Sequence, residues 1–315
     1  MPRVGIQIEP AFGFLFDEVV QIARLAEQTG YHALWTSDHL FFDAQATNRP
    51  CLEAWTLLTA LAPLTTTLRL GTLVTCYAYR HPSLLAKAVA CLDLISQGRV
   101  DCGLGAGWNA AECQAYGIPF PPVGTRMAQL REVVQVLRLL WTHERASFQG
   151  QHYTLEGAVG MPQPRQQPLP LWIGGQGEKA LLRLVAEAAD GWNMVAGSSL
   201  AQVRHKLEVL ERHCETVGRN LHTIDKSLLV YTCLFDSEQE FQQTLTDQAR
   251  LLGAESQASL LQARTLGLAG SAAQVTDTLG RYLACGFDYL IALFPFRRER
   301  DMLQRYAEDV WCHLR

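Results

Sequence analysis

The residues best suited to chemistry stand directly after short apolar runs. Glu9-Pro10 follows the run beginning at Val4, Ser37-Asp38-His39 follows His32 to Thr36, and Thr75-Cys76-Tyr77, with Arg80-His81 beyond, follows Leu68 to Val74. A fourth run, Arg99 to Gly103, passes into Gly103-Leu104-Gly105-Ala106-Gly107-Trp108-Asn109. A fifth, Leu171 to Ile173, passes into Gly174-Gly175-Gln176-Gly177, and a sixth contains Asn193. An imidazole, with an unperturbed pKa of about 6.5, can accept a hydroxyl proton while a hydride leaves the carbon that bears that hydroxyl. His39 is therefore a candidate general base. Adjacent residues at a strand end point different ways, so Asp38 and His39 need not form a dyad. A hydrogen-bonded structural His39 and a loop-capping Asp38 are the alternative.

The glycines at 174, 175 and 177 stand between a strand and a helix, where backbone N–H groups can approach a phosphate at the positive end of the helix dipole. Tight turns that need positive φ explain the same composition without a ligand. The run Gly103 to Gly107 is a poor dinucleotide fingerprint, because Trp108 stands close to where its last glycine belongs. No H-x-H, H-E-x-x-H or clustered carboxylate pattern points to a metal, and no G-x-S-x-G elbow points to a serine hydrolase.

Elements that could hold these residues alternate along the whole chain. Strands are predicted at about Val4 to Glu9, His32 to Thr36, Leu68 to Val74, Arg99 to Gly103, Leu171 to Ile173, Gly191 to Val195, Ser227 to Phe235 and Tyr289 to Leu293. Helices fall between them, including Leu52 to Leu64, Pro82 to Ser96, Thr125 to Trp141, Glu178 to Ala189 and Leu200 to Val217. A hairpin is expected over Ala146 to Leu155, and a largely polar helical insertion over about 237–266, after strand seven. Eight β–α units with mostly continuous apolar strands indicate a buried parallel sheet, most economically a single (β/α)₈ TIM barrel over 1–315. An open doubly wound sheet is the alternative. In a barrel, chemistry belongs at the C-terminal strand ends, where all these residues fall.

Composition narrows the function classes. The 315 residues include 27 Lys+Arg and 31 Asp+Glu, a net charge of −4 with no basic stripe, so nucleic acid is not an expected partner. No apolar stretch approaches the roughly 20 residues of a membrane helix, and the N-terminus moves straight into a strand without a signal-peptide pattern. Nine cysteines, scattered without a C-x-x-C pair, argue against a disulfide framework and a structural zinc site. A cytoplasmic location is expected.

Several motifs, taken together, resemble the bacterial luciferase-like superfamily. They are Leu34-Trp35-Thr36-Ser37-Asp38-His39, Leu70-Gly71-Thr72-Leu73-Val74, Ile95-Ser96-Gln97-Gly98-Arg99, and Gly103 to Trp108. Tyr116-Gly117-Ile118-Pro119-Phe120 with Arg126, Leu171-Trp172-Ile173-Gly174-Gly175, and Ala189-Asp190-Gly191-Trp192-Asn193 extend them. The likeness is nearest to the branch that uses the deazaflavin coenzyme F420. It implies hydride transfer at a ring over the barrel mouth, backed by a non-prolyl cis peptide at Leu73-Val74. It also implies cofactor contacts from Asp38, Thr72, Leu73, Val74, Gly107, Trp108 and Asn193, with Gly174, Gly175 and Gln176 near the phosphate-bearing tail.

His39 matches the base of alcohol- and sugar-oxidising members. Sugar-phosphate-oxidising members carry a Glu where this chain has Trp108, a departure that counts against that substrate. Glu112 is the second candidate catalytic group, and with Glu9 and Trp108 it is expected to shape the pocket. Phe41, Phe42, Tyr77, Tyr79 and Leu260 suggest a partly apolar small-molecule substrate or simple packing. Trp55 and Leu58 could be core or a homodimer interface, as relatives are commonly dimers. The leading expectation is an F420-dependent oxidoreductase transferring a hydride between the deazaflavin ring and a small organic substrate of alcohol/carbonyl or enone type. The alternatives are an FMN-dependent monooxygenase fed by a separate reductase, and a cofactor-binding protein without turnover.

Overall fold

A computed structural model describes residues 2–43, 45–195 and 199–314. The barrel strands are β1 (Arg3–Ile8), β2 (Ala33–Thr36), β3 (Arg69–Thr72), β4 (Val100–Gly105), β5 (Leu171–Gly174), β6 (Gly191–Val195), β7 (Asp225–Tyr231) and β8 (Tyr289–Leu293). Each pairs in parallel with its sequence neighbour, and β1 pairs with β8, with Val4 opposite Leu290, so the sheet closes into a (β/α)₈ barrel. Closure excludes the open-sheet alternative. It also explains why the strands read as continuous apolar runs, since one face meets the helices and the other the barrel interior.

Three large rings fill the floor of the barrel. Trp35 lies edge-on to Trp172 at 5.5 Å, and its indole N–H donates to the Tyr289 hydroxyl at 2.7 Å. Glycines provide the room: a Cβ at Gly5 would meet the Tyr289 hydroxyl at 2.7 Å, one at Gly71 the Trp35 ring at 2.7 Å, and one at Gly191 the Trp172 ring at 2.3 Å. These rings close the middle of the barrel, with a small cavity of about 240 Å³ below them, lined by Arg3, Arg69 and Asp101, and a larger one above.

The differences from the predicted elements have local causes. The third strand stops at Thr72 and resumes as Thr75–Cys76, paired with the end of β4; the Leu73-Val74 peptide between the two pieces is cis. The seventh strand ends at Tyr231, and Cys233–Leu234 forms a separate two-stranded ladder with Ala269–Gly270. At the break the Thr232 hydroxyl donates to the Leu268 carbonyl at 2.6 Å, reaching toward the second ladder. The insertion is two helices, Glu238–Leu252 and Ala254–Thr265, hinged at Gly253 with φ of 95°. The hairpin is present as Arg145–Gln149 against Thr154–Val159.

A short helix at Ala110–Ala115 escapes the sequence reading because six residues carry too little periodicity. Trp55 and Leu58 are buried within the fold, so they are core rather than interface. Among the described residues no helix is long and apolar enough to cross a membrane.

Candidate active site

Above the floor, the strand ends and loops enclose a cavity of about 880 Å³. Glu9, Asp38, His39, Trp108, Glu112 and Asn193 all line it, together with Leu73, Val74, Gly107, Gly174 and Gly175. The C-terminal ends of β1, β2, β4, β5 and β6 therefore converge as the barrel requires.

Glu112 organises the reactive part. Asn109 caps the short helix, its Oδ1 accepting from Ala111 N–H at 3.2 Å and Glu112 N–H at 3.4 Å. This aims the Glu112 carboxylate at the segment after β2. One oxygen accepts the backbone N–H groups of Leu40 at 2.7 Å and Phe41 at 3.0 Å. The other meets His39 Nδ1 at 2.9 Å and accepts the Tyr79 hydroxyl at 3.0 Å. Burial opposes ionisation of Glu112, but the His39 contact and the two backbone donors hold its carboxyl below the usual range. Burial likewise lowers the His39 pKa; its bond to Glu112 and the charges of Glu9, Glu112 and Asp38 reverse the sign and leave it raised. With Nδ1 engaged by a carboxylate, Nε2 is the nitrogen left to face the cavity.

Asp38 has a different task. It binds Arg80 through both oxygens, at 2.6 Å and 2.8 Å, and accepts Cys76 N–H at 3.2 Å. Arg80 also bonds Glu53, the cap of the helix Ala54–Leu61. The Asp38–Arg80–Glu53 chain ties β2 to the segment after β3. Asp38 and His39 are side by side in sequence yet serve separate networks, so they form no dyad.

The remaining candidates divide clearly. Thr72 is buried in the barrel wall, donating to the Gly103 carbonyl at 3.0 Å and accepting Thr75 at 2.8 Å, and does not line the cavity. Gln176 donates to the Val195 carbonyl at 3.1 Å and also lies outside the lining. Asn193 faces the cavity with its amide held by Ser227 Oγ at 3.0 Å. Of the candidate apolar lining residues Phe42 and Tyr79 line the cavity, whereas Tyr77 and Leu260 are core. Phe41 stacks on Tyr116. The sequence reading missed the Arg80–Asp38 pair, and it missed Gln7. The signal for Gln7 was a lone amide within an apolar strand; its Oε1 is buried at the cavity with no hydrogen-bond partner. Among the described residues no group of three His, Cys, Asp or Glu is placed to hold a metal ion.

Over residues 5–288 the sequence matches the luciferase-like monooxygenase family. The chain belongs to this family. As a luciferase-like protein it is 30% identical over 319 residues to the F420-dependent glucose-6-phosphate dehydrogenase of Nakamurella multipartita, covering 95% of this chain and 92% of that one. Its backbone matches an F420-dependent secondary alcohol dehydrogenase, solved with an F420-acetone adduct, at a TM-score of 0.83 and 20% identity, over 100% of this chain and 99% of the other. The monooxygenase RslO1 from Streptomyces bottropensis matches at a TM-score of 0.83 and 24% identity, over 99% and 100%. At these identities the two structures establish the luciferase-like barrel and leave the chemistry to the site.

Proposed function

We propose that this luciferase-like protein is an F420-dependent oxidoreductase that interconverts a small alcohol and its carbonyl compound. The observation that carries the reading is the Glu112–His39 pair, which leaves Nε2 of an oriented imidazole facing a cavity large enough for a tricyclic ring and a substrate. The cavity's own residues suit such a ring. Leu73, Val74, Leu229 and Leu293 offer apolar walls, and Gln7 offers an unpaired acceptor for a ring N–H. Gly105 and Gly174 make room for Val74, because a Cβ at either would meet its side chain at 2.5 Å or 2.7 Å. The helix after Gly174 and Gly175 starts only at Leu181 rather than at Glu178, so any hold on the anionic tail there would come from the turn and not from a helix N-terminus.

When bound, the deazaflavin supplies a two-electron hydride acceptor or donor at its C5 carbon. His39 Nε2 takes the hydroxyl proton as an alcohol is oxidised and returns it as a carbonyl is reduced. Glu112 fixes the tautomer and stabilises the imidazolium, and the Tyr79 hydroxyl holds the shared carboxylate oxygen in place. The nine unpaired thiols suit a reducing, cytoplasmic setting, and a homodimer is the expected assembly.

A monooxygenase using FMN is the second reading, favoured by the family's description, and it would require a reductase to supply reduced flavin. Anaerobic titration of the purified protein with F420 and with FMN, followed by fluorescence quenching, separates the two. Saturable micromolar F420 binding with weak FMN binding supports the oxidoreductase; the reverse preference overturns it.

A further inference from the structure

Around the proton-transfer atom the cavity carries aromatic rings and little positive charge. The Phe42 ring lies 4.4 Å from the His39 imidazole and the Trp108 ring 5.3 Å away, while Phe12 continues the collar 5.8 Å from Phe42. Trp108 is 69% exposed, a large ring left open at the mouth of the cavity. Such a ring has most of its apolar area still to bury, and an aromatic partner recovers both that area and a favourable ring–ring geometry.

The charge pattern points the same way. Asp43 and Glu255 line this cavity with Glu9, and among the described residues Arg49 is the one lysine or arginine that does. Part of that guanidinium is committed, Nη2 donating to the Leu251 carbonyl at 2.6 Å. The residues at 44 and 196–198 carry no charge either. A phosphate group brought into this cavity would meet more carboxylates than lysines or arginines, and the partly desolvated site would strengthen that repulsion.

Resting on the oxidoreductase reading, we propose that the substrate is an uncharged alcohol, with its carbonyl compound, bearing an aryl or similarly flat apolar substituent held by Trp108 and Phe42, and that phosphorylated sugars are excluded. In oxidation the carbinol C–H bond breaks and its electron pair leaves with hydride to the deazaflavin. The hydroxyl proton passes to His39, and the carbon becomes a carbonyl carbon.

The test uses 1-phenylethanol, acetophenone and glucose 6-phosphate. Calorimetry on the cofactor-free protein should give saturable acetophenone binding, with glucose 6-phosphate weaker by about tenfold or more. With F420 present, kcat/KM for 1-phenylethanol should exceed that for glucose 6-phosphate by about tenfold or more. Trp108→Ala should raise KM for 1-phenylethanol about tenfold while kcat stays within a few-fold, and Trp108→Phe should restore most of the affinity. Comparable or better use of glucose 6-phosphate, absent acetophenone binding, or an unchanged KM in Trp108→Ala would each overturn the substrate proposal. Failure of the cofactor reading shows separately, as absent F420 binding in the quenching titration.

Discussion

His39 Nδ1 lies 2.9 Å from Glu112 Oε2, a contact made across 73 residues of sequence. The same carboxylate accepts the consecutive backbone N–H groups of Leu40 and Phe41, so it positions the loop as well as the ring. Removing the imidazole should therefore separate chemistry from binding. In His39→Ala, turnover should fall by about 10²-fold or more, the usual scale for loss of a general base, while F420 affinity stays within a few-fold. Stopped-flow turnover and a fluorescence titration on the same variant check this; unchanged turnover removes His39 from the mechanism.

The pH dependence follows from the direction of the His39 shift. Its pKa is raised above 6.5: burial works against this, but the Glu112 bond and nearby carboxylates prevail. Alcohol oxidation needs the neutral ring, so its rate should climb as pH rises through that raised value. Carbonyl reduction needs the imidazolium and should decline over the same range. In Glu112→Gln the raising influence is lost, so the acidic limb of oxidation should move to lower pH, with turnover reduced by about 10-fold to 100-fold. A limb that does not move would show that Glu112 does not act through His39.

Gly105 and Gly103 make a contrasting pair. A Cβ at Gly105 would meet the Val74 side chain at 2.5 Å, whereas one at Gly103 would meet the Thr72 carbonyl oxygen at 2.0 Å. Gly105→Ala should push Val74 toward the cavity and weaken F420 binding by about tenfold, at a stability cost of about 1–3 kcal/mol. Gly103→Ala has chiefly backbone to displace, with the Val74 side chain farther off at 3.2 Å, and should be the more destabilised of the two in a thermal melt.

Glu27 offers a test of stability against acid. One of its oxygens accepts Thr66 N–H at 2.7 Å, Thr67 N–H at 2.6 Å and Leu68 N–H at 2.9 Å, clamping the turn that enters β3. Burial is the largest single influence and opposes ionisation, but these donors together prevail and bring the carboxyl down to about 2. Because the folded value is depressed, the contribution is complete above the unfolded value near 4.5 and disappears as pH falls toward 2. At this partly exposed site Glu27→Ala should cost about 1 kcal/mol at neutral pH and little near pH 2, measured by urea unfolding.

Much of this architecture is legible in local sequence. Apolar runs such as Leu290-Ile291-Ala292 specify buried strands, Ser199 and Ser271 start helices through capping boxes, and Gly30 ends one, all through interactions within a few residues. Placing Glu9, His39, Trp108 and Asn193 at one mouth also needs no coordinates, because parallel strands in a closed barrel send all their C-terminal ends to the same side. The family motifs point to the same fold for the same reason: they are local.

What the sequence leaves open is pairing between distant elements. Nothing in the dipeptide Asp38-His39 shows that Asp38 will be spent on Arg80 and that His39 will turn to Glu112, because each partner arrives on a separate loop whose direction the closed barrel sets. Thr72 illustrates the reverse case. Its motif places it at the ring, yet its side chain is buried in the wall against Gly103 and Thr75. Local patterning determines which residues reach the mouth of the barrel; tertiary packing decides which of them meet, since hydrogen bonds and burial act over a few ångströms and do not register separation along the chain.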